Sequence, residues 1–449
     1  MIKKVLIANR GEIAIRIMRT CKDLGIKAVG VFSESDRDSL HVQFADEAYC
    51  IGPSESSKSY LSISRIITIA KLSKCDAIHP GYGYLSENAE FAELCDEMDI
   101  EFLGPSSNAI KNMGLKDIAK EMMKKADVPV VPGSNGILRD LNDAYRVADK
   151  VGYPVILKAS SGGGGKGIRV VKDKKAMSDA FNLTKEEARK SFDNSDIYLE
   201  KYIEDFRHIE IQILGDKYGN IIQLGERDCT VQRKMQKIIE ETPSPSINNS
   251  IRKKMGDAAV QAALAVNYHS AGTVEFIFDR TTENFYFMEM NTRIQVEHPI
   301  TEIVNDIDLV AEQIKIAEGK QLDTNKNLGK ANKFAMECRI NAENPDNNFA
   351  PSVGEITRYI PPGGYGVRVD SFLYTNYKTK PFYDSLVAKV VTFGYSRKEV
   401  IDRMIRALEE FQLEGIDTNI VFNIKILKNK NFLLNNYNTN FLNEDNSEI

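Results

Sequence analysis

Two glutamates in adjacent predicted strands are the strongest indication of chemistry in this sequence. Residues 272–278 and 285–291 have the residue pattern of strands, and residues 280–284 between them have the usual length of a hairpin loop. Pairing the strands across this loop sets Glu275 directly opposite Glu289. Two carboxylates about 5 Å apart at Cβ destabilise a hairpin unless a cation lies between them, and an all-oxygen site favours Mg²⁺ or Mn²⁺. The alternative is a surface hairpin whose glutamates are simply solvated.

Further polar side chains are expected on the same face of the second strand. Asn291 can add an oxygen ligand to the metal. If the chain stays extended beyond it, Arg293, Gln295 and Glu297 follow at alternate positions. An arginine can bind an anion through two parallel hydrogen bonds, and Glu297 is free to act as a general base. His298 points elsewhere and is predicted to be structural, so the strip predicts a reaction centre for an anion beside a metal.

A glycine-rich loop is the second signal. The run Ser160-Ser161-Gly162-Gly163-Gly164-Gly165-Lys166-Gly167 lacks the closing Lys-Ser/Thr pair of a Walker loop, and a strand is predicted to follow it. Consecutive glycines let backbone N–H groups close onto phosphate oxygens, and Lys166 adds charge. The loop therefore predicts a lid over a nucleotide, with a flexible hairpin tip as the alternative. Lys116 and Lys158 are candidate phosphate ligands, although a lone lysine is more often a solvated surface charge.

A basic cluster and a later arginine are weaker candidates. Residues 232–237 read Gln-Arg-Lys-Met-Gln-Lys. Alone, such a cluster is usually solvated, but beside a lid and a metal pair it could hold a small anionic substrate. Arg339 lies in a predicted strand, residues 334–340, whose other face is apolar. Its plain alternative is an ion pair with Glu337 or Glu343.

Composition excludes several classes of protein. The chain has 449 residues, with 59 Lys and Arg against 64 Asp and Glu, and its net charge of −5 gives no reason to expect nucleic acid as a partner. No apolar run approaches the roughly 20 residues that a membrane helix needs, and the short run at residues 5–8 is too brief for a signal peptide. The six cysteines form no Cys-x-x-Cys pair, so neither a disulfide framework nor a zinc site is expected. A cytoplasmic location is the expectation.

Periodicity divides the chain into regions. Strands alternate with helices over about the first hundred residues, which indicates a parallel α/β domain. No Gly-x-Gly-x-x-Gly opens the first helix, which argues against a dinucleotide-binding dehydrogenase. Later strands are predicted at 154–158 and 208–214, and a helix over 307–317 is expected to be capped by Asp306. The polar stretch 323–333 is typical of a linker before a final region of short strands and a helix.

Together these residues strongly resemble the biotin carboxylase family of the ATP-grasp superfamily. The resemblance implies an α/β and α+β architecture with an N-terminal parallel α/β domain at 1–114, an ATP-grasp domain at 115–322 with a mobile lid at about 131–203, and a C-terminal α+β domain at 333–445. The motifs that carry it extend over nearly the whole chain. They are Ile7-Ala8-Asn9-Arg10-Gly11-Glu12-Ile13-Ala14, His79-Pro80-Gly81-Tyr82-Gly83, Leu85-Ser86-Glu87-Asn88, the glycine run, and Glu289-Met290-Asn291-Thr292-Arg293-Ile294-Gln295-Val296-Glu297-His298.

The resemblance also implies a role for each site residue. The positions that match nucleotide-binding residues are Lys116, Lys158, Gly162, Gly163, Gly164, Gly165, Lys166, Gly167, Glu200, Lys201, Ile203, His208 and Gln232. Those that match magnesium ligands are Glu275, Glu289 and Asn291, and those that match the bicarbonate pocket are Lys237, Arg293, Gln295 and Val296. Glu297 resembles the base that deprotonates bicarbonate, and Arg339 the residue that steadies the biotin enolate.

The implied reaction is the ATP-dependent carboxylation of biotin by bicarbonate through carboxyphosphate, with two Mg²⁺ or Mn²⁺ ions. No Ala-Met-Lys-Met biotinylation motif is present and the chain ends before any Pro/Ala-rich linker, so biotin is expected on a separate carrier protein. Carboxyltransferase subunits would complete an acyl-CoA carboxylase, with acetyl-CoA carboxylase of fatty acid biosynthesis as the first expectation. Subunits of pyruvate or propionyl-CoA carboxylase remain open, and the family suggests a homodimer.

Three positions depart from the family pattern. Leu115 stands where Asp is common, Met235 where histidine is frequent, and Lys234 replaces a usual arginine. Because methionine cannot donate a hydrogen bond to a nucleotide, altered ATP affinity is expected rather than loss of activity. The nearest rival interpretation is another ATP-grasp ligase that joins a carboxylate to an amine, and the other is a nucleotide-binding regulatory protein without turnover.

Overall fold

In the computed structural model, which describes residues 1–160, 167–324 and 333–442, the N-terminal region folds around a five-stranded parallel sheet. Its strands are β1 (Lys4–Ile7), β2 (Lys27–Phe32), β3 (Glu47–Cys50), β4 (Ala77–His79) and β5 (Glu101–Phe102), in the spatial order β3-β2-β1-β4-β5. Its helices are α1 (Gly11–Asp23), α2 (Leu40–Phe44), α3 (Ile63–Leu72), α4 (Ala89–Glu97) and α5 (Ser107–Gly114). The predicted parallel α/β arrangement is confirmed.

The loops after β1 and β4 meet at one edge of this sheet. These two strands are neighbours at the point where the strand order reverses, which is the usual ligand-binding edge of an open parallel sheet. Asn9, just after β1, donates from Nδ2 to the carbonyl oxygens of Pro80 at 2.8 Å and Tyr82 at 2.7 Å. The two loops are therefore tied together, and both reach the central cavity.

A small three-stranded antiparallel sheet follows, with its own apolar core. Helix α6 (Lys116–Lys125) leads into it. The sheet has the order β7-β6-β8 and is covered by two helices; the elements are α7 (Leu141–Val151), β6 (Val155–Ala159), β7 (Ile168–Val171), α8 (Met177–Phe192) and β8 (Ile197–Lys201). Leu157, Phe181 and Leu199 are among the buried residues that hold it together. This unit corresponds to the segment predicted to carry the glycine-rich loop.

An eight-stranded antiparallel sheet joins the middle of the chain to its C-terminal region. Its order is β13-β12-β9-β10-β11-β14-β19-β18, with β9 (Phe206–Gly215), β10 (Ile221–Arg233), β11 (Gln236–Thr242), β12 (Ser270–Asp279), β13 (Phe285–Asn291), β14 (Phe334–Asn341), β18 (Val367–Ser371) and β19 (Leu386–Gly394). The pairing of β11 with β14 bridges the two regions. Residues from both can therefore meet on one sheet face.

Alternation along β9 sorts its side chains between core and site. Ile209, Ile211 and Ile213 pack in the core beneath α9 (Asn249–Ala265), and the opposite face carries His208 and Glu210.

The remaining elements are α10 (His298–Asn305), α11 (Leu309–Ala317), β15 (Glu343–Asn344), β16 (Ala350–Pro351), β17 (Arg358–Ile360), α12 (Arg397–Glu410), β20 (Gln412–Glu414), α13 (Ile420–Lys428) and α14 (Lys430–Leu433). Within the described ranges, no helix combines the length and apolar character needed to cross a bilayer.

The predicted cap of α11 is wrong by two residues. Asp306 has a left-handed backbone (φ 53°) and ends α10. Asp308 caps α11 instead, since its side chain accepts from the backbone N–H of Ala311 at 2.9 Å. The same carboxylate accepts from Arg16 at 2.9 Å and from Thr20 at 2.7 Å, both in α1. Sequence favours either aspartate as a cap, and the contacts with α1 select the second.

We expect Asp308→Ala to destabilise the protein by about 0.5–2 kcal/mol, the usual range for loss of a helix N-cap. Asp308→Asn keeps the cap but loses the charge beside Arg16, so thermal midpoints should fall in the order wild type, Asn, Ala. Burial acts to raise the pKa of Asp308, but Arg16 and the hydrogen bonds lower it on balance. The stabilisation is therefore present near neutral pH and lost as the pH falls below the usual carboxyl range. An Ala variant that melts with the wild type would contradict the assignment.

Candidate active site

One large cavity collects nearly all of the predicted site residues. It has a volume of about 1580 Å³, and residues from the N-terminal, middle and C-terminal regions line it. The predicted residues on its wall are Lys116, Lys158, Glu200, Lys201, Ile203, His208, Gln232, Lys237, Glu275, Glu289, Asn291, Arg293, Gln295, Val296 and Arg339. Gly162, Gly163, Gly164, Gly165 and Lys166 lie outside the described residues. Gly167 and Glu297 are described but do not line the wall.

The hairpin places Glu275 opposite Glu289 as predicted, but the strand register near the turn differs from the predicted register. The predicted loop gives a register in which residue 279 faces residue 285, whereas Phe278 is the residue that faces Phe285. An irregularity between Glu275 and Phe276 shifts the register back by one residue. The error at the turn is thereby cancelled, and both carboxylates face the cavity.

The two carboxylates differ in environment. Glu275 is buried, and its Oε1 accepts from Lys237 at 3.1 Å, Asn291 at 2.9 Å and Gln295 at 3.0 Å. Burial acts to raise the pKa of Glu275, but Lys237 and His208 hold it well below the usual range. The side chain of Glu289 is 41% exposed, and its pKa is raised by desolvation and by the charge of Glu275.

This pair fits a divalent cation. Glu275, Glu289 and Asn291 all reach the cavity and offer only oxygen atoms as ligands, which suits Mg²⁺ or Mn²⁺. A cation between the carboxylates would remove the repulsion that raises the pKa of Glu289. His208 lies beside them, with Nε2 at 2.9 Å from Oε2 of Glu275.

Lys237 is the centre of the site. Its ammonium group donates to Glu210 at 2.5 Å, to Glu297 at 2.6 Å and to Glu275 at 3.1 Å. Arg227, fully buried, also donates to Glu210 at 2.6 Å. Buried carboxylates require such partners, so Lys237 keeps three strands and the loop after β13 together.

The segment after β13 is a loop rather than a continuation of the strand. Strand β13 ends at Asn291, and α10 begins at His298. Arg293 and Gln295 still reach the cavity: Arg293 donates to Asn291 at 2.9 Å, and Gln295 donates to Glu275 at 3.0 Å. The expected convergence is present for these two residues, whereas Glu297 does not line the cavity and the extended geometry is wrong.

Glu297 lies behind the cavity wall. It is fully buried (0% exposed), and its two oxygens accept from Lys237 at 2.6 Å and from Arg339 at 2.9 Å. Burial alone acts to raise its pKa, but Lys237 and Arg339 hold the pKa well below the usual range. Glu297 is therefore ionised at neutral pH. His298 is buried, and its Nδ1 lies 2.8 Å from the carbonyl oxygen of Gln295, which agrees with a structural role.

The ion pair considered for Arg339 is wrong. Its partners are Glu240, through Nε at 2.6 Å, and Glu297, through Nη2 at 2.9 Å, and neither Glu337 nor Glu343. Because Nε and Nη2 donate to two different carboxylates, the plane of the guanidinium is fixed. Arg339 still reaches the cavity, so its remaining N–H groups are available to a ligand.

Of the two predicted phosphate-binding lysines, Lys158 pairs with Glu200 and Lys116 lies near Glu289. Glu200 is buried and accepts from Lys158 at 2.7 Å and from Lys120 at 2.6 Å. Lys116 lies 3.9 Å from Glu289 and is about half exposed. Three lysines therefore line one side of the cavity, which suits a polyphosphate.

Other residues predicted to bind the nucleotide have structural contacts of their own. Lys201 donates to the backbone carbonyls of Gly152 and Tyr153 at 3.0 and 2.9 Å, while Gln232 donates to the carbonyl oxygen of Cys229 at 3.1 Å. Gly167 has a φ of +68°, and a Cβ there would lie 2.7 Å from that of Ala159. A glycine is therefore required where the chain enters β7.

The structure describes the three positions that depart from the family pattern. Leu115 occupies the N-cap of α6 without a side-chain hydrogen bond and is 45% exposed. Lys234 and Met235 form the tip of the β10–β11 hairpin with φ values of 48° and 65°, and Met235 is 71% exposed. Lys234 and Met235 also line the cavity, at a part of its wall that is open to solvent.

Sequence reasoning missed four residues of the site. Lys120 lies one helical turn after Lys116, so helical spacing could have indicated it. Glu210 alternates with His208 along β9, which places both on the same face. Tyr82, within the motif at 79–83, lines the cavity and donates to Glu12. Glu240 gave no local signal, since only the pairing of β11 with β14 brings it to Arg339.

Comparison with known families accounts for nearly the whole chain. Residues 1–110 match the family described as biotin carboxylase, N-terminal domain, and residues 337–444 match biotin carboxylase C-terminal domain. Residues 116–325 match the family described as carbamoyl-phosphate synthase L chain, ATP binding domain.

Similar proteins match this chain over nearly its full length. Biotin carboxylase 1 of Bacillus subtilis is 57% identical over 442 residues, which cover 98% of both chains. A pyruvate carboxylase subunit of Methanothermobacter thermautotrophicus is 49% identical, covering 99% of this chain and 90% of the relative.

Among solved structures, a biotin carboxylase complex from Campylobacter jejuni has a TM-score of 0.94 at 46% identity, with 99% of each chain covered. The biotin carboxylase domain dimer of Hydrogenobacter thermophilus 2-oxoglutarate carboxylase, in complex with MgADP, ADP and bicarbonate, has a TM-score of 0.92 at 48% identity, covering 100% of this chain and 98% of that one. Given these matches, the chain belongs to the biotin carboxylase family of ATP-dependent ligases.

Proposed function

We propose that the cavity catalyses the transfer of CO₂ from bicarbonate to biotin, driven by ATP, with the predicted residues in the following roles. The observation that carries the proposal is the convergence on Lys237: one ammonium group bonds Glu210, Glu275 and Glu297 between the acidic hairpin and Arg339. Such a site suits a small anion that binds between the two metal-binding glutamates and the buried base, Glu297. The proposed domain limits are 1–114, 115–322 and 333–445.

The first stage is the activation of bicarbonate. Arg293, Gln295, Lys237 and the backbone of Val296 hold the anion, and Glu297 takes its proton. Lys116 and Lys158 neutralise the phosphates of ATP. Lys166 and the glycines at 162–167 are proposed to bind the phosphates as well. Glu275, Glu289 and Asn291 would hold Mg²⁺ or Mn²⁺, which supplies positive charge to the phosphate oxygens. The bicarbonate oxygen then attacks the γ-phosphorus, giving carboxyphosphate and ADP.

The second stage is the carboxylation of biotin. Carboxyphosphate breaks down to CO₂ and phosphate, and phosphate takes the ureido proton of biotin. Arg339, held by two carboxylates, stabilises the negative charge of the resulting enolate as it captures CO₂. The three regions that line the cavity, together with the proposed lid, would limit hydrolysis of the intermediate. Glu200, Lys201 and Ile203 are proposed to lie in the segment that receives adenine, and His208 and Gln232 are proposed to be neighbours of the nucleotide.

The partners follow from this chemistry. We propose that biotin arrives on a separate carrier protein and that carboxyltransferase subunits use the product, with acetyl-CoA as the first acceptor to test. The relatives named for pyruvate and 2-oxoglutarate carboxylases make both keto acids alternative acceptors. A homodimer is proposed because the Hydrogenobacter thermophilus structure is described as a dimer.

An ATPase assay tests the function. ATP hydrolysis should depend on bicarbonate and rise when free biotin is added, and both dependences should be measured independently. Stimulation by an amine substrate without any effect of biotin would identify a carboxylate–amine ligase instead. Tight ATP binding without turnover would identify a regulatory protein.

Glu289→Gln tests the metal assignment. Removing one of the two facing carboxylates should lower turnover by about two orders of magnitude or more, because metal charge at the phosphates is worth several kcal/mol. Raised Mg²⁺ should recover part of the activity. Glu283→Gln, at the exposed tip of the same hairpin, is the matched control and should behave as wild type. Near-normal turnover of Glu289→Gln would reject the assignment.

Glu297→Gln tests the base. The variant should bind ATP with near-normal affinity, because Glu297 lies behind the wall on the side of Lys237 and Arg339. Bicarbonate-dependent hydrolysis should fall by about two to four orders of magnitude, the usual contribution of a general base. Isothermal titration with ATP and steady-state kinetics separate the two effects. Equal loss of ATP binding and turnover would contradict a role confined to proton transfer.

A further inference from the structure

Two buried carboxyl groups behind Arg339 have oxygen atoms without a hydrogen-bond donor. Glu240 in β11 and Glu337 in β14 are directly opposite in the antiparallel register, and both residues are 0% exposed. Within the described part of the chain, no donor reaches Oε2 of Glu240 or either oxygen of Glu337. Buried polar oxygens are almost always hydrogen-bonded, so this cross-strand pair requires an explanation.

The surroundings of Glu337 disfavour an ionised carboxylate. Ala335, two residues earlier on the same strand face, and Val391, opposite Glu337 on β19, are buried in an apolar cluster with Ile300 of α10. A charge beside such a cluster loses hydration without gaining a partner. Glu337 thus lies between an apolar layer and the charged site.

The nearby cations are already paired with other groups. Arg339 donates to Glu240 and Glu297, and Lys389, fully buried on β19, lies 3.2 Å from Glu12. Among the residues that the structure describes, neither cation makes a hydrogen bond to Glu337. A second ionised carboxylate at Glu337 would face the ionised Glu240 across the strands with Cβ atoms about 5 Å apart.

We propose that Glu337 is a neutral carboxylic acid that donates its O–H to Oε2 of Glu240, and that this hydrogen bond fixes Glu240 so that it orients Arg339. One proton then provides the missing donor for Glu240 and removes the repulsion between the two groups. Glu240 uses its other oxygen to accept from Nε of Arg339 at 2.6 Å. Glu337 and Glu240 are therefore positioning residues, and the inference rests on the proposed contact of Arg339 with the biotin enolate.

The acid–base behaviour of the pair agrees with this assignment. Burial, and then the charge of Glu240, raise the pKa of Glu337 well above its usual range, although Lys389 acts in the opposite direction. Burial raises the pKa of Glu240 to about 7, and Arg339 limits the rise. Because Arg339 stabilises the ionised form of Glu240, Glu337 is the group that keeps the proton.

Infrared spectroscopy tests the protonation directly. The wild-type protein at neutral pH should show the carbonyl stretch of a protonated carboxylic acid, and the wild-type-minus-Glu337→Gln difference spectrum should contain this band with a shift in D₂O. The measurement requires folded protein but no turnover. A difference spectrum with only carboxylate bands would overturn the proposal.

Kinetics with free biotin test the positioning role. Glu337→Gln retains an uncharged hydrogen-bond donor and should keep KM for biotin within about twofold of wild type. Glu337→Met has similar volume but no donor, and should raise KM for biotin or lower biotin-dependent turnover about tenfold, the value of one hydrogen bond to a charged group. The KM for ATP should not change in either variant. Rescue by Gln but not by Met would separate positioning from packing.

Two outcomes would count against the positioning role. Equal impairment of the Gln and Met variants would mean that the proton does not serve as a donor, and unchanged biotin kinetics in Met would mean that Glu240 needs no such support. Melting temperatures of both variants establish that each one is folded. If the wild type shows no biotin-dependent activity at all, the proposed function fails, while the infrared band still decides the state of Glu337.

Discussion

The site depends on one compensation of charge: the ammonium group of Lys237 bonds three buried carboxylates. Glu210, Glu275 and Glu297 come from β9, β12 and the loop before α10, and none could be buried in ionised form without a cation. Burial opposes the charge on Lys237, but the surrounding acidic groups hold its pKa well above the usual range. The sheet can therefore bury these three carboxylates together, and Glu275 of the acidic hairpin is held in place.

Local periodicity predicts the acidic hairpin of the site, whereas most of the other site residues are predicted from the family resemblance. Alternation along β9 and along the hairpin strands places His208, Glu275 and Glu289 on one face, and short loops restrict which residues can pair. The parallel sheet at the N-terminus follows from alternating strands and helices in the same way. The predicted pairing of Glu275 with Glu289 is correct, but only because an irregularity in the ladder cancels a one-residue error at the turn.

The rest of the site depends on contacts between distant parts of the sequence. Glu240 reaches Arg339 through the pairing of β11 with β14, about a hundred residues apart, and Asp308 rather than Asp306 caps α11 because α1 packs against it. Neither contact can be recognised from the local sequence, because an ionised side chain could pair with many oppositely charged residues of the chain. This is why sequence suggested Glu337 or Glu343 for Arg339, whereas the sheet register selects Glu240.

The same charge compensation bears on the proposed role of Glu297 as a base. Lys237 and Arg339 keep its pKa well below the usual range, and a carboxylate so stabilised is a weak proton acceptor. An anion bound at Lys237 would compete with Glu297 for this donor, because each N–H of Lys237 that turns to the anion is withdrawn from Glu297. Binding of bicarbonate would therefore raise the basicity of Glu297 at the moment when its proton must be removed. If Glu297 is the base, its buried position behind Lys237 and Arg339 would keep it ionised but weakly basic until the substrate binds.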